Sequence, residues 1–358
     1  MTQLDAIGVG IVGLSAGGGW AGTAHVPALA GVKGYELRAL TASTRESARA
    51  AGERYEVPLV FDSAEELASH PDVDLVVVTV RVPHHEALVR PALQAGKMVL
   101  CEWPLAVDLP TARRMSALAG GIRTAVGLQA RSAPALRYLR DLIADGYVGE
   151  VLSTTLIAAH GGFDGTYNSS TRYLLDAANG ATLLSIPFGH AIDALTMVLG
   201  EITDLSATTA LRRPVRYHAE TGEPATATAP DQVAVTATLE SGAVAVAHVR
   251  GARYRAADLH WEINGTEGVV VVTAPQGGLL AKSPTLLGAR GSHPELAELP
   301  VPPSYELVLA GHADQYAYHV AHAYRQLRED ITTGSRTIPD FAHAVRLHEL
   351  LDQIIRSN

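Results

Sequence analysis

The sequence predicts an α/β protein in two domains: a doubly wound parallel sheet over residues 1–125, then an α+β domain over 126–358 on a large, open, mainly antiparallel sheet. Three observations predict it. A buried-strand run near the N-terminus closes on a glycine-rich turn. Strand and helix signals alternate through the next hundred residues. Strands that alternate apolar and polar side chains dominate the second half. The 358 residues exceed one ordinary core, and 47% hydrophobic against 18% charged residues is a globular composition.

Charge and cysteine usage exclude several classes. The 37 acidic and 28 basic residues give a net charge of −9 without long runs, so no footprint for nucleic acid is visible. The lone Cys101 cannot form an intramolecular disulfide, and no charged-then-apolar leader opens the sequence, which points to the cytoplasm. The longest apolar runs, such as Leu75 to Val80, are strand-sized, so no membrane partner is expected.

Ala6 to Leu14 reads as a buried strand. Gly8, Gly10 and Gly13 fit the G-x-G-x-x-G spacing, but the first two lie inside that strand. The phosphate-binding turn is therefore read as Gly13-Leu14-Ser15-Ala16-Gly17-Gly18-Gly19, with Trp20 next and a helix over Ala21 to Leu29. Glycines there let the backbone approach a pyrophosphate while the helix N-terminus offers N–H donors; the alternative is an ordinary glycine turn. The following strand, Tyr35 to Ala42, ends in Ser43-Thr44-Arg45, where a carboxylate would bind the ribose 2′-hydroxyl of NAD. Small hydroxyls and an arginine suit a 2′-phosphate, so NADP is expected ahead of NAD. The other reading of Arg45 is the start of a solvated helix face.

Alternation continues with a strand at Leu59 to Phe61, a helix at Ala64 to Ser69, a strand at Asp74 to Val80, a helix from His84 to Ala95 and a strand at Lys97 to Cys101. Parallel sheets bind ligands at the carboxyl ends of their strands, here Thr79 to Pro83 and Glu102 to Pro104. Beyond Ala125 a helix is expected over Ala133 to Gly146. Strands follow at Val151–Ala158, Asp204–Thr209, Gln232–Leu239, Ala243–Arg250, Leu259–Asn264 and Gly268–Thr273. Arg212 to Asp231 and Ala274 to Pro303, rich in Pro, Gly, Ala and Thr, read as long loops. Helices over Gly311–Thr332 and Pro339–Arg356 close the chain. Fifteen histidines include His84-His85 and His319-x-x-His322, but no cysteine cluster or His-Glu-x-x-His accompanies them, so no metal is expected. Cys101, ending a buried strand without a paired base in view, reads as a small core residue.

These pieces resemble the Gfo/Idh/MocA family. The resemblance rests on the early glycine loop, His85-Glu86 ahead of Ala95-Gly96-Lys97, Cys101-Glu102-Trp103-Pro104, Gly127 to Arg131, and Gly189-His190-Ala191-Ile192-Asp193. It implies a Rossmann domain, a bound nicotinamide dinucleotide, hydride transfer on a polar, sugar-like substrate, and a homo-oligomer packed through the open sheet. Thr79, His85, Glu102, Trp103 and Pro104 would line the cofactor cleft. Arg131 would hold a phosphate or carboxylate, or else form a salt bridge between domains. Tyr167, Arg172 and Tyr173 would contact substrate, or else belong to an ordinary polar loop, and Asp193 would orient His190 or a neighbouring loop.

Two departures matter. The family's Glu-Lys-Pro lysine is Trp103, which has no titratable proton in a useful range. The aspartate of Asp-x-x-x-His is Ile186, leaving His190 as the carried-over proton donor. Val12 to Ala16, Gly19-Trp20 and Trp103-Pro104 look similar to the subgroup typified by a fungal galactose-pathway corepressor, which signals rather than reduces. An oxidoreductase with a non-standard acid-base set is expected; the alternative is a non-catalytic NAD(P)-binding sensor.

Overall fold

The computed structural model describes residues 6–252, 258–275, 279, 283–308 and 316–357. The chain divides into two compact units, Met1–Ser132 with Leu307–His348, and Ala133–Glu306 with Glu349–Asn358.

In the first unit, β1 (Ile7–Val12) leads through a π-helical turn (Ala21–His25) into α1 (Val26–Gly31). Then come β2 (Tyr35–Thr41), α2 (Arg45–Tyr55), β3 (Leu59–Val60), α3 (Ala64–Ser69), β4 (Leu75–Val78), α4 (His85–Gln94), β5 (Met98–Glu102), α5 (Leu109–Ala119) and β6 (Thr124–Gly127). The strands lie parallel in the order β3-β2-β1-β4-β5-β6, a doubly wound Rossmann sheet. Helices on both faces bury every residue of β1, which is why that strand reads as a continuous apolar run. Gly8 and Gly10 serve this packing: a Cβ on Gly8 would lie 1.9 Å from the Asp72 carbonyl oxygen, and one on Gly10 2.7 Å from Leu67. The expected boundary at 125/126 falls within β6. Neither β6 nor α5 was foreseen, although Asp108 caps α5 by accepting from Thr111 N at 2.8 Å.

The second unit opens with α6 (Pro134–Ala144), β7 (Val151–His160), β8 (Thr166–Tyr167), α7 (Gly189–Leu199), β9 (Ile202–Ala210), β10 (Val215–His218) and β11 (Pro224–Thr226). It continues with β12 (Gln232–Leu239), β13 (Val244–Gly251), β14 (Leu259–Gly265), β15 (Gly268–Ala274), β16 (Thr285–Arg290) and β17 (His293–Glu298). Eight of these strands form one sheet, β17-β16-β15-β14-β7-β13-β12-β9, antiparallel except for β7 beside β13. The expected loops at Arg212–Asp231 and Ala274–Pro303 are corrected: they carry β10 and β11, and β16 and β17. Short strands without a full period of burial leave no periodic signal.

The chain returns to the first unit with α8 (Tyr316–Thr333) and the first half of α9 (Phe341–Arg356). Residues 311–315 of the expected helix lie outside the described residues. Tyr324, Val320 and Leu327 of α8 join Val9, Ile11, Leu29 and Leu40 in one hydrophobic cluster. Among the described residues no helix is long and apolar enough to cross a membrane.

Candidate functional site

The carboxyl ends of β1, β2 and β4 open onto a cavity of about 510 Å³. Its lining comprises Val12, Gly13 and Ser15 after β1, Thr41, Ala42 and Ser43 after β2, Asp62 to Glu65 after β3, and Val80, His84 and Leu88 beyond β4. Gly13 (φ 101°) lies where a Cβ would meet Val80 Cγ1 at 2.7 Å, so only glycine lets the loops after β1 and β4 meet so closely. Thr79 ties them further by donating Oγ1 to the Val12 carbonyl at 3.0 Å. Leu14, between Gly13 and Ser15, is fully buried. Gly17 N donates to Ser15 Oγ at 3.2 Å, and Gly18 and Gly19, both at positive φ, have open space where a side chain would stand. Such a bare, curled backbone before a helical turn is a cradle a phosphate group fits. At the turn's end Trp20 packs edge-on against Tyr316, and its buried Nε1 has no hydrogen-bond partner.

Ser43 lines the cavity; its neighbours are engaged locally. Thr44 Oγ1 caps α2 by accepting from Ser47 N at 3.1 Å, while the exposed Arg45 has its Nε 3.5 Å from Asp62 Oδ1.

At the end of β5, Glu102 Oε1 lies 3.0 Å from His25 Nε2, and His25 Nδ1 lies 2.8 Å from the Tyr324 hydroxyl. Burial raises the Tyr324 pKa well above its ordinary value, so that hydroxyl keeps its proton. His25 thus bridges that hydroxyl and the Glu102 carboxylate, its Nε2 donating to the carboxylate oxygen. Gly127 makes room, since a Cβ there would sit 2.5 Å from Glu102 Oε1. Beside it Trp103 is 6% exposed, its ring 4.8 Å from that of His348. Burial lowers the His348 pKa to about 4, so no cation accompanies the indole at neutral pH.

His85, expected in the cofactor cleft, is buried at 1% exposure between the loops after β4 and β5. Its Nε2 lies 2.9 Å from the Val80 carbonyl oxygen and Nδ1 3.1 Å from that of Leu105, and burial lowers its pKa. The neutral ring donates to one of the two and joins the loops after β4 and β5; its neighbour His84 lines the cavity instead. Arg131 Nη1 sits 3.5 Å from His343 Nε2 of α9, within the same unit. Cys101 is buried with its thiol pKa raised, a core residue as expected.

In the second unit His190 opens α7. It is 5% exposed, its Nδ1 has no hydrogen-bond partner, and desolvation lowers its pKa to about 4, opposed by Asp193 and assisted by His160. His160, at the end of β7, is likewise held near 4 by burial. Two neutral imidazoles thus lie within electrostatic reach of each other in this unit, and position 186 is an isoleucine, not a carboxylate. Tyr167 is buried in β8, stacks edge-on on His218 and donates its hydroxyl to the Glu223 carbonyl at 3.2 Å. Arg172 lies over the Tyr167 ring and 3.9 Å from Glu223, and the Tyr173 carbonyl accepts from Asn179 Nδ2 at 2.7 Å.

Sequence reasoning missed Asp62, His25, Tyr324 and His160. Strand register could have found Asp62: β3 pairs Leu40 with Val60, so the chain leaving β3 runs level with Ala42 and Ser43. No local signal links His25 to Tyr324, which lies in a helix from the far end of the chain.

Residues 7–126 match the family described as "Oxidoreductase family, NAD-binding Rossmann fold", and residues 134–274 match "Gal80p, C-terminal domain". A 1,5-anhydro-D-fructose reductase of Ensifer adhaerens is 30% identical over 69% of this chain and 71% of its own length. The chain belongs to the Gfo/Idh/MocA family. The dehydrogenase aclE of Aspergillus oryzae is 36% identical over 50% of each chain. For the first curated relatives, the match spans about half of their own length, from 46% to 57%. In overall fold, a super-repressor mutant of Gal80p from Saccharomyces cerevisiae superposes with a TM-score of 0.89 at 22% identity, covering 99% and 96% of the two chains. Levoglucosan dehydrogenase in complex with NADH and L-sorbose gives 0.85 at 22% identity, covering 98% and 96%. Catalytic and regulatory proteins therefore share this fold.

Proposed function

We propose that this protein binds a nicotinamide dinucleotide, NADP(H) ahead of NAD(H), in the cytoplasm, and that its output is a change in protein contacts rather than turnover. The observation that carries this reading is Trp103. It stands buried against a neutral imidazole where the family's lysine would move a proton, and Ile186 replaces the partner carboxylate. The likeness of both halves to regulator and oxidoreductase alike supports dinucleotide binding without demanding chemistry.

In this reading the backbone N–H groups of Gly13 to Gly19 hold the pyrophosphate, Leu14 and Trp20 fix the turn, and Ser43 with Arg45 meets the adenosine ribose. Glu102, oriented by His25, Trp103, Pro104 and Thr79 border the nicotinamide end, with His85 bracing their loops. Hydride transfer, the chemistry a bound nicotinamide would supply, is needed only in the second reading below. A second copy of the chain covers the open face of the large sheet, where Val244 and Val246 are exposed.

The second reading is a dehydrogenase or reductase of a sugar-like carbonyl, favoured by the unpartnered His190 Nδ1 and by the aclE relative. His190 would then hold the proton at the substrate oxygen. Arg131, Tyr167, Arg172, Tyr173 and Asp193 would position the substrate. Fluorescence of bound NADPH, followed while keto-sugars and imines are added, separates the two. Saturable binding without cofactor oxidation is expected. Oxidation would overturn the sensor reading, and His190→Asn should then lower turnover by roughly 10²–10⁴-fold, with cofactor affinity little changed.

A further inference from the structure

The end of β2 carries no carboxylate, yet the cavity it borders is not without one. β3 runs parallel to β2 with Ala39 opposite Leu59 and Leu40 opposite Val60, and Phe61 N donates to the Leu40 carbonyl at 3.0 Å. Carried on by two residues, that register brings Asp62 level with Ala42, and both line the cavity together with Ser43. The Asp62 side chain is half exposed, and its Oδ1 lies 3.5 Å from Nε of Arg45, the cation expected to receive a 2′-phosphate. Asp62 thus holds two positions at once. It presents an acceptor to the cavity from the neighbouring strand, and it faces the guanidinium.

We infer that Asp62 sets the balance between NAD and NADP in this protein. The inference rests on the dinucleotide reading above and deepens it. With NAD bound, a ribose hydroxyl donates to the Asp62 carboxylate and Arg45 keeps its counter-ion. With NADP bound, the 2′-phosphate, bearing about 1.5 to 2 negative charges at neutral pH, must draw Arg45 away and lie close to the carboxylate. Like charges at that separation repel, and partial exposure weakens the repulsion without removing it. Asp62 is therefore a handicap on NADP and a ligand for NAD, and the chain accepts both.

Glu65 also lines the cavity, but no ion pair joins it to Arg45, so it tests whether any nearby negative charge would do. The experiment is calorimetric titration of the full chain with NAD⁺ and NADP⁺, for the parent, Asp62→Asn, Asp62→Ser, Glu65→Gln, Arg45→Ala and the Asp62→Asn/Arg45→Ala double variant. Thermal unfolding monitors folding. Both Asp62 variants should bind NADP⁺ roughly five- to twenty-fold more tightly, with NAD⁺ unchanged or weakened by about three-fold. The gain should shrink in the double variant, because part of it is Arg45 released to the phosphate. An unchanged ratio of the two affinities, or an equal gain in Glu65→Gln, overturns the inference and leaves the dinucleotide reading intact. A parent that binds neither dinucleotide overturns both.

Discussion

Trp103 concentrates the functional question in one side chain. Its ring is buried and tilted against His348, whose imidazole burial keeps uncharged. Restoring a lysine there places an ammonium in a buried site beside a neutral imidazole; Glu102 is already engaged by His25 and Asp108 by the α5 cap, and the family's carboxylate position is Ile186. An unpaired buried charge costs several kcal/mol, whereas exchanging one aromatic ring for another loses mainly contact area. Trp103→Lys should therefore destabilise the protein by several kcal/mol in urea unfolding, and Trp103→Phe by about 1 to 2 kcal/mol. Neither is expected to gain turnover on polyols. A lysine variant with parental stability and clear dehydrogenase activity would show that the pocket tolerates the charge and that one position silences an enzyme scaffold.

At the scale of elements, what could be read in the sequence depended on burial pattern. β12 was legible residue for residue because Gln232–Leu239 alternates between a core face and an outer one, and α3 because Ser63 caps it ahead of Glu66. β17 escaped because all of its residues are exposed, so no period marks it. α5 has a readable start in the capping Asp108 and in Pro110, but no long apolar period behind it. The site divides in the same way. The glycine turn is local and was legible, while Asp62 depends on strand register and His25 on a helix almost three hundred residues away. The alternation that revealed the large sheet also yields a prediction. Val244 and Val246 of β13 point to its open face beside Ser153 and Thr155 of β7. If a second copy covers that face, Val246→Asp introduces an uncompensated charge into the interface and should release protomers in light scattering. The inner packing is untouched, so the unfolding midpoint of the protomer should shift little. A parent that is already monomeric would rule out the second copy.

Taken as a whole, the molecule has a nucleotide-binding unit assembled from two separated stretches of chain. α8 completes its core beside β1, β2 and α1, and the Tyr324 backbone carbonyl accepts from the Tyr35 hydroxyl at 2.9 Å. Arg328 donates to the Gly34 carbonyl, and β6 donates from Val126 N to Pro339 O at 2.8 Å. During synthesis the first 132 residues emerge with this flank uncovered and wait for residues 133–306 before its cover is made. Contacts of such long sequence separation form late and slowly, and the apolar surface exposed meanwhile invites association with other chains. A fragment of residues 1–132 should accordingly bind a hydrophobic dye and lack a cooperative unfolding transition, in contrast to the full chain. A fragment that melts sharply would show that the flank needs no cover. Glu102, too, receives its full support only when Tyr324 has arrived to fix His25, so on the proposed reading, in which Glu102 borders the nicotinamide, the grip on a dinucleotide is a property of the nearly finished polypeptide and nascent chains are blind to it.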